Sequence, residues 1–181
     1  MATRIRHTVA EFDRFASLSE NADRRLELVE GEIVEVVSSS YSSETAANLL
    51  AEIRLFTKGR KLGRVTGADG GYVVGDERYI PDVAFISFAR QPEPSHAAYN
   101  PQPPDLAVEV LSPSDEAAMM RIKIVNYLQA GTAVWVVDPD RRTVEVYTPA
   151  AAPRTLAAND TLDGGSVLPG FRLTVQDIFP E

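Results

Sequence analysis

Apolar residues recur at helical spacing in three segments of the chain. Residues 8–19 and 43–58 carry them along one face, and Gly59 stands where a helix C-cap is often glycine. A third helix is expected over residues 114–130, with Ser114 as its N-cap. The pattern therefore predicts helices near the start, in the first third and between the core strands.

Strand-like patterns occupy much of the remaining chain. Residues 26–37 form a β pattern that is interrupted by Glu30-Gly31, a pair that predicts a tight hairpin turn. Residues 79–87 predict one strand, which Pro81 opens, and residues 133–137 form the continuous apolar run of a strand buried on both faces. Further strands are predicted at residues 64–66, 71–74, 105–111 and 143–147.

The segments between and after these elements have their own signals. Residues 88–104 hold five of the twelve prolines and predict an irregular loop. Residues 150–160 predict a loop with a weak strand, and residues 175–179 a short helical turn. Together the elements predict an α+β fold, in which helices flank a mixed, twisted β-sheet. The length of 181 residues predicts one domain over residues 1–181.

Composition excludes several classes of protein. No run of 18 apolar residues is present, so we expect no membrane span, and the N-terminus lacks the apolar core of a secretory signal. The absence of cysteine excludes disulfides, thiolate metal sites and a cysteine nucleophile, and it fits a cytoplasmic protein. The net charge of −8 argues against a broad basic face for nucleic acid. A local basic groove, or carboxylates gathered around a metal, stays possible.

The dipeptide Pro-Asp occurs twice, and each copy leads into an apolar run. Pro81-Asp82 precedes the first run, and Pro104-Asp105 precedes the second, which carries Glu109 in its interior. A buried carboxylate is costly unless it is paired or bound to a metal. Alternation places Glu109 on the face opposite Val108, so a half-exposed strand with Glu109 in water is the competing interpretation.

Lys123 lies on the predicted helix that follows the Glu109 strand. It falls about 60° from Met120, at the border of an apolar stripe that includes Ile124 and Tyr127. From there it could reach back toward Glu109. The alternative is an ordinary boundary lysine whose ammonium extends into water.

Five segments, read together, resemble a known family. They are LELVEGEIV, YIPDVAFIS, PPDLAVEVLSPS, KIVNYLQAGTAVWVVDP and VEVY. The chain resembles the Uma-type family over about residues 8–179. This family is a bacterial domain of formerly unknown function that is placed in the PD-(D/E)XK, or restriction-endonuclease-like, superfamily. The resemblance implies a restriction-endonuclease-like fold and phosphodiester hydrolysis, with DNA as the expected substrate.

The resemblance also implies a role for particular residues. Asp82 and Glu109 match the two metal-binding carboxylates, and Glu27 matches an acidic position that completes the cluster, with Glu32 of the same hairpin as a weaker candidate. The superfamily places a lysine two residues after the second acid. Here Leu111 stands at that position, and Lys123 on the next helix matches the lysine instead. The implied cofactor is Mg²⁺, or Mn²⁺ in its place, which activates a water and offsets charge on the phosphate.

Two hypotheses of different class follow. The first is a Mg²⁺-dependent endonuclease, expected to act as a homodimer whose contacts come from residues 92–104 and the C-terminal tail. The second is a catalytically inactive relative that serves as a binding or dimerisation module. Family members commonly carry a histidine near the start of the second helix, where this chain has Ser43. That difference and the acidic charge favour the second hypothesis, whereas the acids and Lys123 together favour the first.

Overall fold

The computed structural model describes residues 6–113 and 116–180. Its three helices are α1 (Val9–Ala16), α2 (Ser40–Arg60) and α3 (Ala117–Gln129). All three agree with the helices that the sequence predicts, although the proposed N-cap Ser114 lies outside the described residues.

Local capping explains where α1 and α2 begin. The Thr8 side chain accepts a hydrogen bond from the Glu11 N–H, and the Glu11 carboxylate accepts one from the Thr8 N–H, which closes a capping box. Ser39 caps α2 by accepting from the Ser42 N–H, so α2 begins earlier than residue 43.

The prediction that Gly59 caps α2 is wrong, because the helix continues through it. The left-handed residue is Lys61, with φ of 53°. Its N–H bonds to the Lys58 carbonyl, and the Leu62 N–H bonds back to the Thr57 carbonyl, which is the Schellman arrangement. Leu62 packs against the main core, so tertiary packing fixes the end of the helix two residues beyond the glycine.

The strands form two larger sheets and a small hairpin. The strands are β1 (Leu26–Val29), β2 (Glu32–Glu35), β3 (Gly63–Gly67), β4 (Gly71–Val74), β5 (Glu77–Tyr79), β6 (Val83–Ser87), β7 (Tyr99–Asn100), β8 (Leu106–Val110), β9 (Ala133–Asp138), β10 (Thr143–Tyr147), β11 (Arg154–Leu156), β12 (Thr161–Asp163) and β13 (Arg172–Thr174). A six-stranded sheet has the order β11-β10-β9-β8-β6-β3, and a five-stranded sheet has the order β2-β1-β5-β4-β7. Strand β8 runs parallel to β9 and antiparallel to β6, so the six-stranded sheet is mixed.

The single strand predicted at residues 79–87 is two strands in different sheets. Strand β5 ends at Tyr79 in the five-stranded sheet, and β6 begins at Val83 in the six-stranded sheet. The connecting residues 80–82 cross between the two sheets. Proline lacks the N–H that a ladder needs, so Pro81 fits a point where strand pairing stops. The prediction of one sheet therefore becomes two sheets joined at this crossing.

The two faces of β8 pack against different parts of the molecule. Leu106, Val108 and Val110 belong to the main apolar cluster, which also includes residues of α2 and of the C-terminal tail. Ala107 belongs to a second cluster, together with Tyr127 of α3. The alternation predicted for this strand is confirmed, and both of its faces are covered.

The C-terminal tail is part of the core. Val175, Ile178 and Phe179 are all buried, and the 3₁₀ helix Val175–Ile178 confirms the predicted helical turn. The expectation that the tail exposes apolar material for a dimer contact is therefore wrong. Within the described parts of the chain, no helix combines the length and apolar character needed to cross a membrane.

Candidate active site

Strand β1 places a glutamate in the interior of the protein. Leu26 and Leu28 pack with Phe12 of α1 on one face of the strand. Alternation therefore turns Glu27 to the opposite face, together with Val29. Only 4% of Glu27 is exposed, although it lies in a strand of otherwise apolar residues.

The crossing between the two sheets holds two of the acids in place. The Ile80 N–H donates a 2.6 Å hydrogen bond to Glu27 Oε1. Two residues later, Asp82 Oδ2 accepts a 2.7 Å hydrogen bond from the Val110 N–H at the end of β8. The same short segment therefore connects Glu27 of one sheet with Asp82, which directly precedes β6 of the other sheet.

Asp82 and Glu109 lie at the same end of a strand pair. The antiparallel register places Val83 opposite Val108. Asp82 precedes Val83 and Glu109 follows Val108, so the two acids lie opposite each other. Neighbouring antiparallel residues are about 4.5–5.5 Å apart at their Cα atoms. The prediction that the strands of Asp82 and Glu109 are neighbours is confirmed.

Lys123 joins the two glutamates. Its Nζ lies 3.0 and 3.1 Å from the two carboxylate oxygens of Glu27, and 2.9 Å from each oxygen of Glu109. Glu109 is 5% and Lys123 is 7% exposed. Both alternatives that placed these side chains in water are therefore wrong, because α3 and β1 cover this face of β8.

Two tyrosines complete the surroundings, and neither is among the site residues predicted from the sequence. The Tyr127 hydroxyl donates a 2.9 Å hydrogen bond to Glu109 Oε1. Lys123 Nζ lies 5.4 Å from the centre of the Tyr79 ring, whose hydroxyl accepts a hydrogen bond from Asn126. The sequence does carry a signal for Tyr127, since it stands four residues after Lys123 and therefore on the same helix face.

Burial governs the ionisation of this cluster. It raises the pKa of Glu109 to about 8, with Glu27 and Asp82 acting in the same direction and Lys123 opposing them. For Lys123, burial alone would lower the pKa, but Glu109 and Glu27 outweigh it and hold the pKa well above its ordinary value. Burial also raises the pKa of Tyr127, as do the two glutamates, so its hydroxyl remains a hydrogen-bond donor.

The five predicted site residues line one cavity of about 310 Å³. Apolar side chains from β1, β2 and the start of α3 form much of its wall. Lys123 is the single basic residue among the described residues that line it, alongside six acidic ones. The predicted site residues at this cavity are Glu27, Glu32, Asp82, Glu109 and Lys123.

Ser43 has no place in this cavity. It lies exposed on α2, whereas Ser42 is buried and donates a 3.0 Å hydrogen bond to the Leu111 carbonyl. Ser38, just before α2, does line the cavity. A hydroxyl group just before α2 therefore lines the cavity, near the position where the family resemblance implies a histidine.

The donor chemistry fits a hard divalent cation. In the described residues, no three acidic or histidine side chains converge closely enough to hold a metal directly. Mg²⁺ usually needs only one or two protein carboxylates, because it keeps several of its waters. Asp82 and Glu109, side by side at the cavity, match that requirement, and Lys123 neutralises part of their charge.

Comparisons with known proteins agree with this architecture. A sequence profile described as "Uma2: Putative restriction endonuclease" matches residues 9–176. A solved structure from Anabaena variabilis ATCC 29413, described as a putative nuclease belonging to DUF820, superposes with a TM-score of 0.83 at 24% identity. The match covers 95% of this chain and 97% of that one, which shows a shared fold. No curated protein sequence matches the chain.

Proposed function

Because the chain belongs to the Uma2 family of restriction-endonuclease-like proteins, we propose that it is a metal-dependent nuclease that hydrolyses phosphodiester bonds in DNA. One observation carries the proposal: Asp82, Glu109 and Lys123 meet at one cavity, although they come from different elements of the fold. A fold needs no buried cluster of this kind for its stability, since apolar residues of similar volume are often as stabilising as a buried ion pair.

Each residue of the cluster has a distinct part in this proposal. Asp82 and Glu109 would hold Mg²⁺ or Mn²⁺, with Glu32 at the same cavity as a further oxygen donor. The cation, when bound, activates a water and offsets charge on the phosphate. Lys123 lines the cavity as well, and its positive charge would stabilise negative charge that develops on the phosphate.

Glu27 is placed to act mainly on Lys123. Both of its oxygens contact the lysine Nζ, and Oε1 also accepts from the Ile80 backbone. This arrangement keeps the lysine charged and fixed beside Glu109. We therefore assign Glu27 the support of Lys123 as its first role, and metal binding as its second.

A nicking assay tests the proposed activity. Wild-type protein is expected to nick supercoiled plasmid in Mg²⁺ or Mn²⁺ and to stop when EDTA is added. Glu109→Gln should abolish this cleavage, because it removes a carboxylate from the cavity. Glu52→Gln, which makes the same change on the exposed side of α2, should cleave at the wild-type rate.

Metal binding decides between the two hypotheses. A calorimetric titration with Mn²⁺ should show binding to wild-type protein and to Glu52→Gln. Lys123→Met should still bind metal but cut more slowly, because the lysine acts on the phosphate. If the wild-type protein binds no divalent metal at millimolar concentration and leaves the plasmid intact, the inactive binding module takes the place of the nuclease.

We also propose that the protein is a homodimer, as suits an enzyme that cuts both strands of a duplex with two symmetric sites. With the C-terminal tail buried, the contact is expected from residues 92–104, most of which are exposed. Light scattering should give about twice the chain mass of 19.8 kDa. A mass of one chain at all micromolar concentrations would reject the dimer.

A further inference from the structure

Glu109 has a hydrogen-bond donor behind it that cannot reach a substrate. Tyr127 is fully buried, and it is not among the residues that line the cavity. Its hydroxyl nevertheless lies 2.9 Å from Glu109 Oε1. The two residues thus form a layered arrangement, with Glu109 at the cavity wall and Tyr127 on the side of the core.

Both carboxylate oxygens of Glu109 have hydrogen-bond donors. Oε1 receives the Tyr127 hydroxyl and the Lys123 ammonium, whereas Oε2 accepts from Lys123. A glutamate side chain has three rotatable bonds, and a lysine has four, so this ion pair by itself allows several orientations. Tyr127 has a stiff ring, and its direction is set by α3.

The Tyr127 ring is itself held in place. It packs edge-on against Tyr79, with ring centres 5.2 Å apart. It also belongs to the apolar cluster that contains Ala107, two residues before Glu109 on the same face of β8. A phenylalanine would keep these contacts, so the hydroxyl is the part of the side chain that serves Glu109.

We propose that Tyr127 is a positioning residue, whose hydroxyl fixes the Glu109 carboxylate in the orientation that presents it to the cavity. The inference rests on the proposed function for its consequence, which is tighter metal binding. Hydrogen-bond partners behind a metal ligand typically change metal affinity by about 10-fold to 100-fold when they are removed.

Tyr127→Phe tests the inference, and Tyr72→Phe is its matched control. Tyr72 is 1% exposed, and its hydroxyl is hydrogen-bonded to the Thr66 side chain, away from the residues that line the cavity. Both variants therefore lose one buried, bonded hydroxyl. Calorimetric titration with Mn²⁺ should show affinity weakened about 10-fold or more for Tyr127→Phe and unchanged for Tyr72→Phe. At saturating Mn²⁺, Tyr127→Phe should nick plasmid at nearly the wild-type rate. A defect in folding alone would not be corrected by more Mn²⁺.

A metal-free measurement separates this inference from the proposed function. With ¹³C-labelled glutamate, the Glu109 carboxyl resonance can be assigned from its loss in Glu109→Gln. In EDTA, that resonance should shift in Tyr127→Phe, because the hydrogen bond from the Tyr127 hydroxyl to Oε1 is lost, and it should be unchanged in Tyr72→Phe. An unaltered Glu109 resonance in Tyr127→Phe would overturn the positioning role, whether or not the wild-type protein binds metal.

Discussion

The strand pair β6 and β8 carries the same local device at both of its ends. At one end, Asp82 precedes β6 and accepts a 2.7 Å hydrogen bond from the Val110 N–H of β8. At the other end, Asp105 precedes β8 and accepts a 2.7 Å hydrogen bond from the Ser87 N–H of β6. In each case a Pro-Asp dipeptide places a carboxylate on the last N–H of the neighbouring strand.

The surroundings of the two aspartates differ. Asp105 is paired with Arg90, whose Nε lies 2.9 Å from Oδ1, and both side chains are partly exposed. Asp82 instead lies beside Glu109 at a cavity that Lys123 also reaches. The Pro-Asp dipeptide is therefore a way to hold a strand end. Chemistry becomes possible only where α3 and β1 add buried charge to that end.

Removing the cation at each end should give the largest difference between the two ends. Lys123→Met leaves Glu27 and Glu109 buried without their ammonium, and loss of one partner of a buried pair typically costs about 3–5 kcal/mol. At the other end, the partly exposed pair of Arg90 with Asp105 typically contributes about 0–1 kcal/mol, and Arg90→Met also removes hydrogen bonds to three backbone carbonyls, so its loss should be the smaller of the two. Urea unfolding in EDTA measures both free energies of unfolding. Equal losses in the two variants would show that the ends do not differ as described.

The aspartates should differ in activity. Asp82→Asn keeps an oxygen acceptor for Val110 but removes a charge at the cavity, so the nicking rate should fall by about 100-fold, or about 2.7 kcal/mol. Asp105→Asn keeps the acceptor for Ser87 and should cut at nearly the wild-type rate. Comparable rates for the two variants would contradict the assignment of metal binding to the Asp82 end.

Another effect concerns the pH dependence of stability in the metal-free protein. Burial raises the pKa of Glu109 from 4.5 to about 8, so the fold favours the protonated form. This contribution to stability is complete below pH 4.5 and is lost as the pH rises through 8. Glu109→Gln has no such group, so its melting temperature in EDTA should gain on the wild type between about pH 5 and pH 8. A constant difference between the two proteins would mean that Glu109 keeps an ordinary pKa.

Much of this architecture can be predicted from local patterns. The hairpin turn at Glu30-Gly31 is predictable because glycine adopts positive φ readily, as such a turn requires. Both residues of the turn have positive φ in the structure, at 48° and 81°. The alternation along β8 separates Glu109 from Val108 by period alone. Local patterns fail to predict the structure at residues 79–87, because two short strands of different sheets have the sequence pattern of one long strand.

The charged residues that line the cavity can be predicted, but their contacts cannot. The resemblance supplies Glu27, Asp82, Glu109 and Lys123, and all of them line the cavity. Tyr127 escapes prediction because a tyrosine in an apolar stripe is ordinary core material, and its hydroxyl partner lies on a strand 18 residues earlier. Burial of Lys123 is also undecided by the sequence, since it depends on how β1 of the other sheet covers α3.

A crystal soaked with Mn²⁺ tests the central claim most directly, because the anomalous signal locates the metal without regard to activity. One peak is expected in the cavity, with oxygens of Asp82 and Glu109 as direct ligands and Lys123 still beside Glu109. A crystal at millimolar Mn²⁺ with no peak in the cavity, or with a peak at the Asp105 end instead, would contradict it.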